Sequence, residues 1–244
     1  MIHAFLLIGQ SNMSGRGYMT DVREVDTAHI YVQRNGRWQR MFRPISPDRS
    51  FAGVSLAESF AERYAAEQGC DVGLIPCSDG GTSLDQWQAG GELFENAVNC
   101  ARLAQRSAPI AGILWHQGEA DCCEPLASTY RERFLKMAEA LRAALDLPNV
   151  PFLMGGLGDF LTYGEPIGVI NRTLEQIAAE DPRYGFVPAT GLTDRGDSLH
   201  FNSPSLYEFG LRYYAVHRQI AGNQPMAAGV ACEDALTRTA MELL

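Results

Sequence analysis

A serine near one end of the chain and an aspartate–histidine pair near the other are the residues best suited to chemistry. Ser11 follows the apolar run 5–8 with only Gly9 and Gln10 between them, and Asp197 lies three residues before His200. A serine hydroxyl becomes a nucleophile when an imidazole takes its proton and a carboxylate orients that imidazole. Taken alone, Ser11 is equally typical of a helix N-cap, so the chemical interpretation depends on the distant pair.

Short apolar runs alternate with amphipathic segments along the chain, which predicts a parallel sheet covered by helices on both faces. The predicted strands cover about residues 5–8, 72–76, 110–115, 151–155 and 185–188. The predicted helices cover about residues 54–68, 92–106, 130–145, 166–180 and 204–220. We therefore predict an α/β fold, a doubly wound three-layer sandwich with a five-stranded parallel sheet. Loops that follow such strands open at one edge of the sheet, where ligands bind.

One segment departs from this alternation. Asn35-Gly36 lies between two short strand-like runs, and this dipeptide is a strong signal for a two-residue hairpin turn. We predict a hairpin insertion over about residues 26–49, as a small excursion from the main sheet. The chain has no repeat and no Pro/Gly/Ser-rich linker, so we predict a single domain over residues 1–244, with a surface-packed C-terminal tail at about 222–244.

Four sequence blocks, each in a loop at the predicted edge, together resemble the SGNH-hydrolase superfamily. Within it they are similar to the sialate O-acetylesterase and acetylxylan esterase group, carbohydrate esterase family six. The resemblance covers about residues 4–215 and implies a flavodoxin-like sheet and metal-free deacetylation of sugar esters. The blocks are Gly9-Gln10-Ser11-Asn12-Met13, Gly80-Gly81-Thr82-Ser83, Trp115-His116-Gln117-Gly118-Glu119 and Asp197-Ser198-Leu199-His200-Phe201.

The resemblance, added to the residue types, implies a role for each member of the predicted site. Ser11 is the expected nucleophile, His200 its base and Asp197 the acid that orients the base. The expected oxyanion donors are the backbone amides of Ser11 and Gly81 and the side-chain NH₂ of Gln117. The wider superfamily has an asparagine as donor in the third block, whereas this chain has Gln117, as in the carbohydrate-esterase branch.

Three further residues, Asn12, Glu119 and Trp87, are candidates for support or substrate contact. Glu119 is either a second carboxylate near His200 or a hydrogen-bond partner of the nucleophile loop, and we favour the structural role. Asn12 is expected to tie the nucleophile turn to another loop. Trp87 and Trp115 could each line a sugar pocket, but core packing is the better interpretation of Trp115.

No cofactor and no metal is predicted. Glu119 and Asp121 superficially resemble metal ligands, but no histidine lies at a matching spacing. The six cysteines show no paired spacing of the zinc type.

Composition restricts the partners. A net charge of −9 argues against nucleic acid, since phosphate binding relies on clustered Lys and Arg. No apolar run approaches the ~20 residues of a membrane span, so we expect no membrane partner. The sequence shows no signal peptide after Met1, from which we expect a cytoplasmic protein. The oligomeric state is not predicted.

The leading functional hypothesis is a serine esterase that removes O-acetyl groups from a small carbohydrate, either sialic acid or a xylo-oligosaccharide. One alternative is a lipase-like or thioesterase-like enzyme acting on short acyl chains, against which the sequence shows no long apolar lid. Another alternative is an inactive carbohydrate-binding homologue. The presence of Ser11, Asp197 and His200 together argues against that, because a binding module needs none of them for catalysis.

Overall fold

The computed structural model describes residues 1–21 and 23–222, in which seven strands form one sheet in the order β3-β2-β4-β1-β5-β6-β7. Neighbouring strands are parallel except β2 and β3. The strands are β1 (Ile2–Gly9), β2 (Ile30–Arg34), β3 (Arg37–Arg40), β4 (Asp71–Pro76), β5 (Ile110–His116), β6 (Phe152–Gly155) and β7 (Tyr184–Val187). The helices of the described residues are α1 (Ser11–Ser14), α2 (Ala57–Gln68), α3 (Glu92–Gln105), α4 (Tyr130–Leu145), α5 (Glu165–Glu180) and α6 (Ser203–Ala221), with short 3₁₀ turns at Leu84–Trp87 and Glu119–Asp121.

The helices form one layer on each face of the sheet, so the predicted three-layer α/β sandwich is confirmed. Helices α3, α4 and α5 pack on one face, and α2 and α6 pack on the other. Strand β1 supplies both faces: Leu6 and Ile8 belong to the first cluster, and Phe5 and Leu7 to the second. This alternation follows from the two-residue period of a strand. No helix of the described residues is long and apolar enough to cross a membrane.

The predicted count of five strands is wrong, because the hairpin joins the sheet. Strand β2 pairs in parallel with β4, with Ile30 opposite Val72, and β3 forms the sheet edge. Trp38 of β3 is only 3% exposed and packs over Gly73 of β4. Local turn chemistry predicted the hairpin, but its pairing with a strand about 40 residues further along leaves no local pattern. The predicted tail lies outside the described residues except for Gly222.

Strand β1 ends in a close approach to β5, after which the chain turns at the carboxyl ends of the strands. Gly9 has φ +126°, and a Cβ there would lie 2.1 Å from the carbonyl oxygen of His116 on β5. Only glycine combines this backbone conformation with so short a contact. The next amide, that of Gln10, donates to the same His116 oxygen at 2.9 Å, and the chain then turns into α1 at Ser11.

Helix α6 begins immediately after the loop that carries Asp197 and His200. The Asn202 side chain caps it by accepting a hydrogen bond from the Ser205 amide at 2.8 Å, and Pro204 lies in its first turn. Both are favoured at helix starts. The cap therefore fixes the end of that loop at the edge where Ser11 emerges.

Candidate active site

Ser11, His200 and Asp197 form a continuous hydrogen-bonded chain. The Ser11 Oγ atom lies 3.0 Å from Nε2 of His200, and Nδ1 of the same ring lies 2.7 Å from Oδ2 of Asp197. The serine and the histidine are 189 positions apart in the sequence. This is the geometry in which an imidazole can take the serine proton while a carboxylate holds the ring in the required tautomer.

Asp197 is held by several donors besides the imidazole ring. Its Oδ1 atom accepts the backbone amides of Leu199 at 3.0 Å and His200 at 2.8 Å. The Arg195 Nε donates to Oδ2 at 2.7 Å. Partial burial acts to raise the pKa of Asp197, but these hydrogen bonds outweigh it and hold that pKa well below its usual value. The carboxylate therefore stays ionised beside His200 at neutral pH.

Asn12 connects the nucleophile turn to both neighbours of His200. Its Nδ2 atom donates to the Leu199 carbonyl oxygen at 3.1 Å, and its Oδ1 atom accepts the Phe201 amide at 3.2 Å. The predicted tie to another loop is therefore present. Because Asn12 is adjacent to Ser11, these bonds restrict how far His200 can move from the serine.

Glu119 contacts the nucleophile turn rather than His200. Its Oε1 atom accepts from Asn12 Nδ2 at 2.5 Å and lies 3.3 Å from His116 Nε2, close enough for an ion pair. Both His116 ring nitrogens lack a hydrogen-bond partner in the described residues, so this contact is an ion pair without a hydrogen bond. Burial acts to raise the pKa of Glu119, but His116 and Asn12 lower it overall. Of the two roles considered for Glu119, the geometry matches the structural one.

Two backbone amides, one on Ser11 and one on the neighbouring glycine loop, have no acceptor among the described residues. Within the described residues, neither the Ser11 N–H nor the Gly81 N–H makes a hydrogen bond. The Ser11 amide is unpaired because it begins a helix, where the first amides have no intrahelical partner. A Cβ on Gly80 would lie 3.5 Å from the Ser11 Cβ, so the glycine loop passes beside the serine. These amides can stabilise an oxyanion.

The Gln117 side chain is not available as the predicted third donor. It is fully buried, and its Nε2 atom donates to Asp121 Oδ2 at 2.5 Å and to the Thr82 carbonyl oxygen at 3.1 Å. The Tyr130 hydroxyl lies 3.1 Å from its Oε1 atom. An amide group has two protons, and both are engaged. The sequence placed Gln117 at the right strand end but could not show these competing acceptors.

The glycine loop is anchored by residues that the sequence did not single out. Asp48 accepts the Gly80 amide at 2.9 Å and forms a buried ion pair with Arg16 at 2.6 Å. Arg49 donates to Asp79 at 2.6 Å and to the Gly80 carbonyl oxygen at 2.9 Å. No motif marks residues 48 and 49, since their partners lie about 30 positions away.

Trp87 is buried in the core and does not line a sugar pocket, which was one of the roles considered for it. It is 1% exposed, its ring packs edge-on against Trp115 with centroids 5.7 Å apart, and its Nε1 donates to Thr82 Oγ1 at 3.1 Å. Trp87 therefore supports the glycine loop from the core. Trp115 is fully buried, in agreement with the core role predicted for it.

Comparison with known proteins finds similarity to carbohydrate esterases. A family model described as "Carbohydrate esterase, sialic acid-specific acetylesterase" matches residues 1–219. The probable carbohydrate esterase At4g34215 of Arabidopsis thaliana is 26% identical over 231 residues, which cover 85% of this chain and 86% of the relative. Its crystal structure superposes with a TM-score of 0.78 at 25% identity, over 89% of this chain and 98% of that one.

Two more distant structures share the fold. The structure of NanS has a TM-score of 0.75 at 16% identity, covering 91% of this chain and 98% of NanS. A carbohydrate acetylesterase from Xanthomonas citri has a TM-score of 0.69 at 18% identity, covering 91% of this chain and 57% of that one.

Proposed function

Since the chain belongs to the carbohydrate esterase family of sialic acid-specific acetylesterases, we propose that it is a serine esterase that removes O-acetyl groups from a small carbohydrate. The observation that carries this proposal is the chain of contacts from Ser11 through His200 to Asp197, with distances of 3.0 and 2.7 Å. A carbohydrate-binding module has no need for this arrangement beside two unpaired amides. The substrate is an O-acetylated sialic acid or an acetylated xylo-oligosaccharide.

The reaction proceeds in two halves. His200 Nε2 takes the Ser11 proton as Oγ attacks the acetyl carbonyl carbon, and the amides of Ser11 and Gly81 bind the negatively charged oxygen. The tetrahedral intermediate collapses when His200 returns the proton to the sugar oxygen, which leaves as a hydroxyl. An acetyl-serine remains.

Water completes the cycle by the same route. His200 removes a proton from the water molecule that attacks the acetyl-serine, and then gives that proton back to Ser11 Oγ, so that acetate is released. Asp197 carries its charge throughout and stabilises the imidazolium that forms in each half-reaction. No metal ion is needed, because the hydrogen-bond donors bind the developing charge.

Acetate release from a panel of O-acetylated sialic acids and acetylated xylo-oligosaccharides tests the proposal. We expect turnover of at least one sugar ester, and a loss of kcat of roughly a thousandfold or more in Ser11→Ala, the scale seen when a triad serine is removed. Octanoyl esters serve as the comparison for acyl length. Hydrolysis confined to octanoyl esters, or a Ser11→Ala variant with native turnover, contradicts the proposal.

A further inference from the structure

Two exposed aromatic side chains lie on the segment that follows α1 and on the segment that pairs with it. Tyr18 is 54% exposed and Phe51 is 61% exposed, among few large apolar side chains that the described residues leave in solvent. They lie on paired segments: Gly17 and Val54 form an antiparallel bridge, with N···O distances of 3.3 and 2.9 Å. Tyr18 follows Gly17 directly and Phe51 lies three residues before Val54, so the bridge joins the two segments that carry the rings.

Each ring packs on an arginine that contacts the site. The Arg16 guanidinium carbon lies 5.3 Å from the Phe51 ring centroid, and Arg16 Nη2 lies 2.5 Å from where a Gly80 Cβ would be. The Arg195 guanidinium carbon lies 5.2 Å from the Tyr18 centroid. Arg195 also donates to the Arg16 carbonyl oxygen at 2.8 Å, which links the two arginines.

Each arginine contacts one ring and leaves more than half of that aromatic residue exposed. A guanidinium against an aromatic face is attractive, so each ring is restrained before any ligand arrives. A restrained ring loses less conformational freedom on binding than a mobile one. The Tyr18 hydroxyl has no hydrogen-bond partner among the described residues, so it can bond to a ligand hydroxyl.

We propose that Tyr18 and Phe51 form a platform for the sugar ring of the substrate, beside the nucleophile. This inference rests on the proposed function and adds a binding site for the part of the substrate that does not react. A pyranose ring carries C–H groups on its faces and hydroxyls at its rim. Aromatic rings with a polar tip suit such a ligand, because they bury apolar area and still bond at the edge.

The test compares two acetyl esters that differ only in the alcohol. One is the best acetylated sugar of the panel, and the other is ethyl acetate, which has the same acetyl group and no ring. For Tyr18→Ala and Phe51→Ala, we expect the ratio of kcat/KM for the sugar ester to that for ethyl acetate to fall about tenfold. Phe51→Trp, which keeps a ring, should restore most of the ratio.

Phe42→Ala is the matched control. Phe42 is 58% exposed and also packs on an arginine, with the Arg34 guanidinium carbon 3.7 Å from its centroid, but no described contact joins it to the site. Its ratio should equal that of the wild type. An unchanged ratio in Tyr18→Ala and Phe51→Ala overturns the platform, whether both esters lose activity equally or neither loses any. A wild type that cleaves ethyl acetate and no sugar ester refutes the proposed function instead.

Discussion

The two oxygens of Asp197 perform different tasks at the scale of a single residue. Oδ2 accepts from Nδ1 of His200 and from Arg195, whereas Oδ1 accepts the amides of Leu199 and His200. One oxygen therefore orients the imidazole and the other closes the loop that carries it. A substitution that keeps the shape but removes the charge separates these tasks.

Asp197→Asn should lower kcat by roughly a hundredfold or more without unfolding the protein. The amide oxygen can still accept the loop amides, but an NH₂ group facing His200 Nδ1 favours the wrong ring tautomer. Steady-state kinetics and a thermal melt of the purified variant measure the two effects. A kcat within threefold of the wild type would remove Asp197 from the proposed mechanism.

The difference in stability between the wild type and Asp197→Asn should depend on pH in a defined direction. The folded-state pKa of Asp197 lies below its ordinary value, and the unfolded value is about 3.9. The carboxylate therefore contributes to the free energy of unfolding above about pH 4, and this contribution is lost as the pH falls through the lower, folded-state pKa. Urea titrations should show the stability difference between wild type and Asp197→Asn shrinking as the pH falls below about 4. A difference that grows on acidification contradicts the assignment.

At the scale of elements, side chains adjacent to Ser11 connect the loops after β1 and β5. Asn12 bonds to Glu119 at 2.5 Å, and Gln10 Oε1 lies 3.5 Å from the Gly118 amide and 3.3 Å from the Ala120 amide. The geometry of the site is therefore a property of several loops together. A change in Glu119 should act on the loops before it acts on the chemistry.

Glu119→Gln should reduce the free energy of unfolding by about 1–3 kcal/mol, the range for a buried hydrogen-bonded group. Its effect on kcat should be milder than that of Asp197→Asn, because in the described structure Glu119 forms no hydrogen bond or ion pair with His200. Glu180→Gln is the control, since Glu180 pairs with Arg131 while its side chain is 61% exposed. An exposed pair contributes less than about 1 kcal/mol. If Glu119→Gln abolishes turnover in a folded protein while Asp197→Asn hardly matters, the assigned roles are reversed.

At the scale of the whole molecule, the sequence predicted what local patterns encode. The alternation of strands and helices predicted the layers, and the blocks around Ser11 and His200 placed both residues at one edge of the sheet. The Arg16–Asp48 pair, the acceptors around Gln117 and the pairing of β2 with β4 were missed. Each depends on contacts between segments with no shared pattern, which only the assembled fold brings together.

The hairpin allows a test of whether the edge of the sheet unfolds cooperatively with the rest of the protein. Trp38 is buried, and its Nε1 donates to Ser107 Oγ at 3.0 Å, so β3 is attached to the segment after α3 as well as to the sheet. Trp38→Ala should lower the free energy of unfolding by about 3–5 kcal/mol. Exposed Phe42→Ala should have little effect. A loss below 1 kcal/mol for Trp38→Ala would mean that the hairpin is not part of the cooperative fold.

The central claim is that Ser11 is the nucleophile and His200 its base, and covalent labelling tests it most directly. After treatment with a small organophosphonate ester, intact-mass spectrometry should show one adduct per chain, and peptide mapping should place it on Ser11. His200→Ala should label far more slowly, because the hydroxyl then lacks its base at 3.0 Å. An adduct on another residue, or a Ser11→Ala variant labelled at the wild-type rate, contradicts the account.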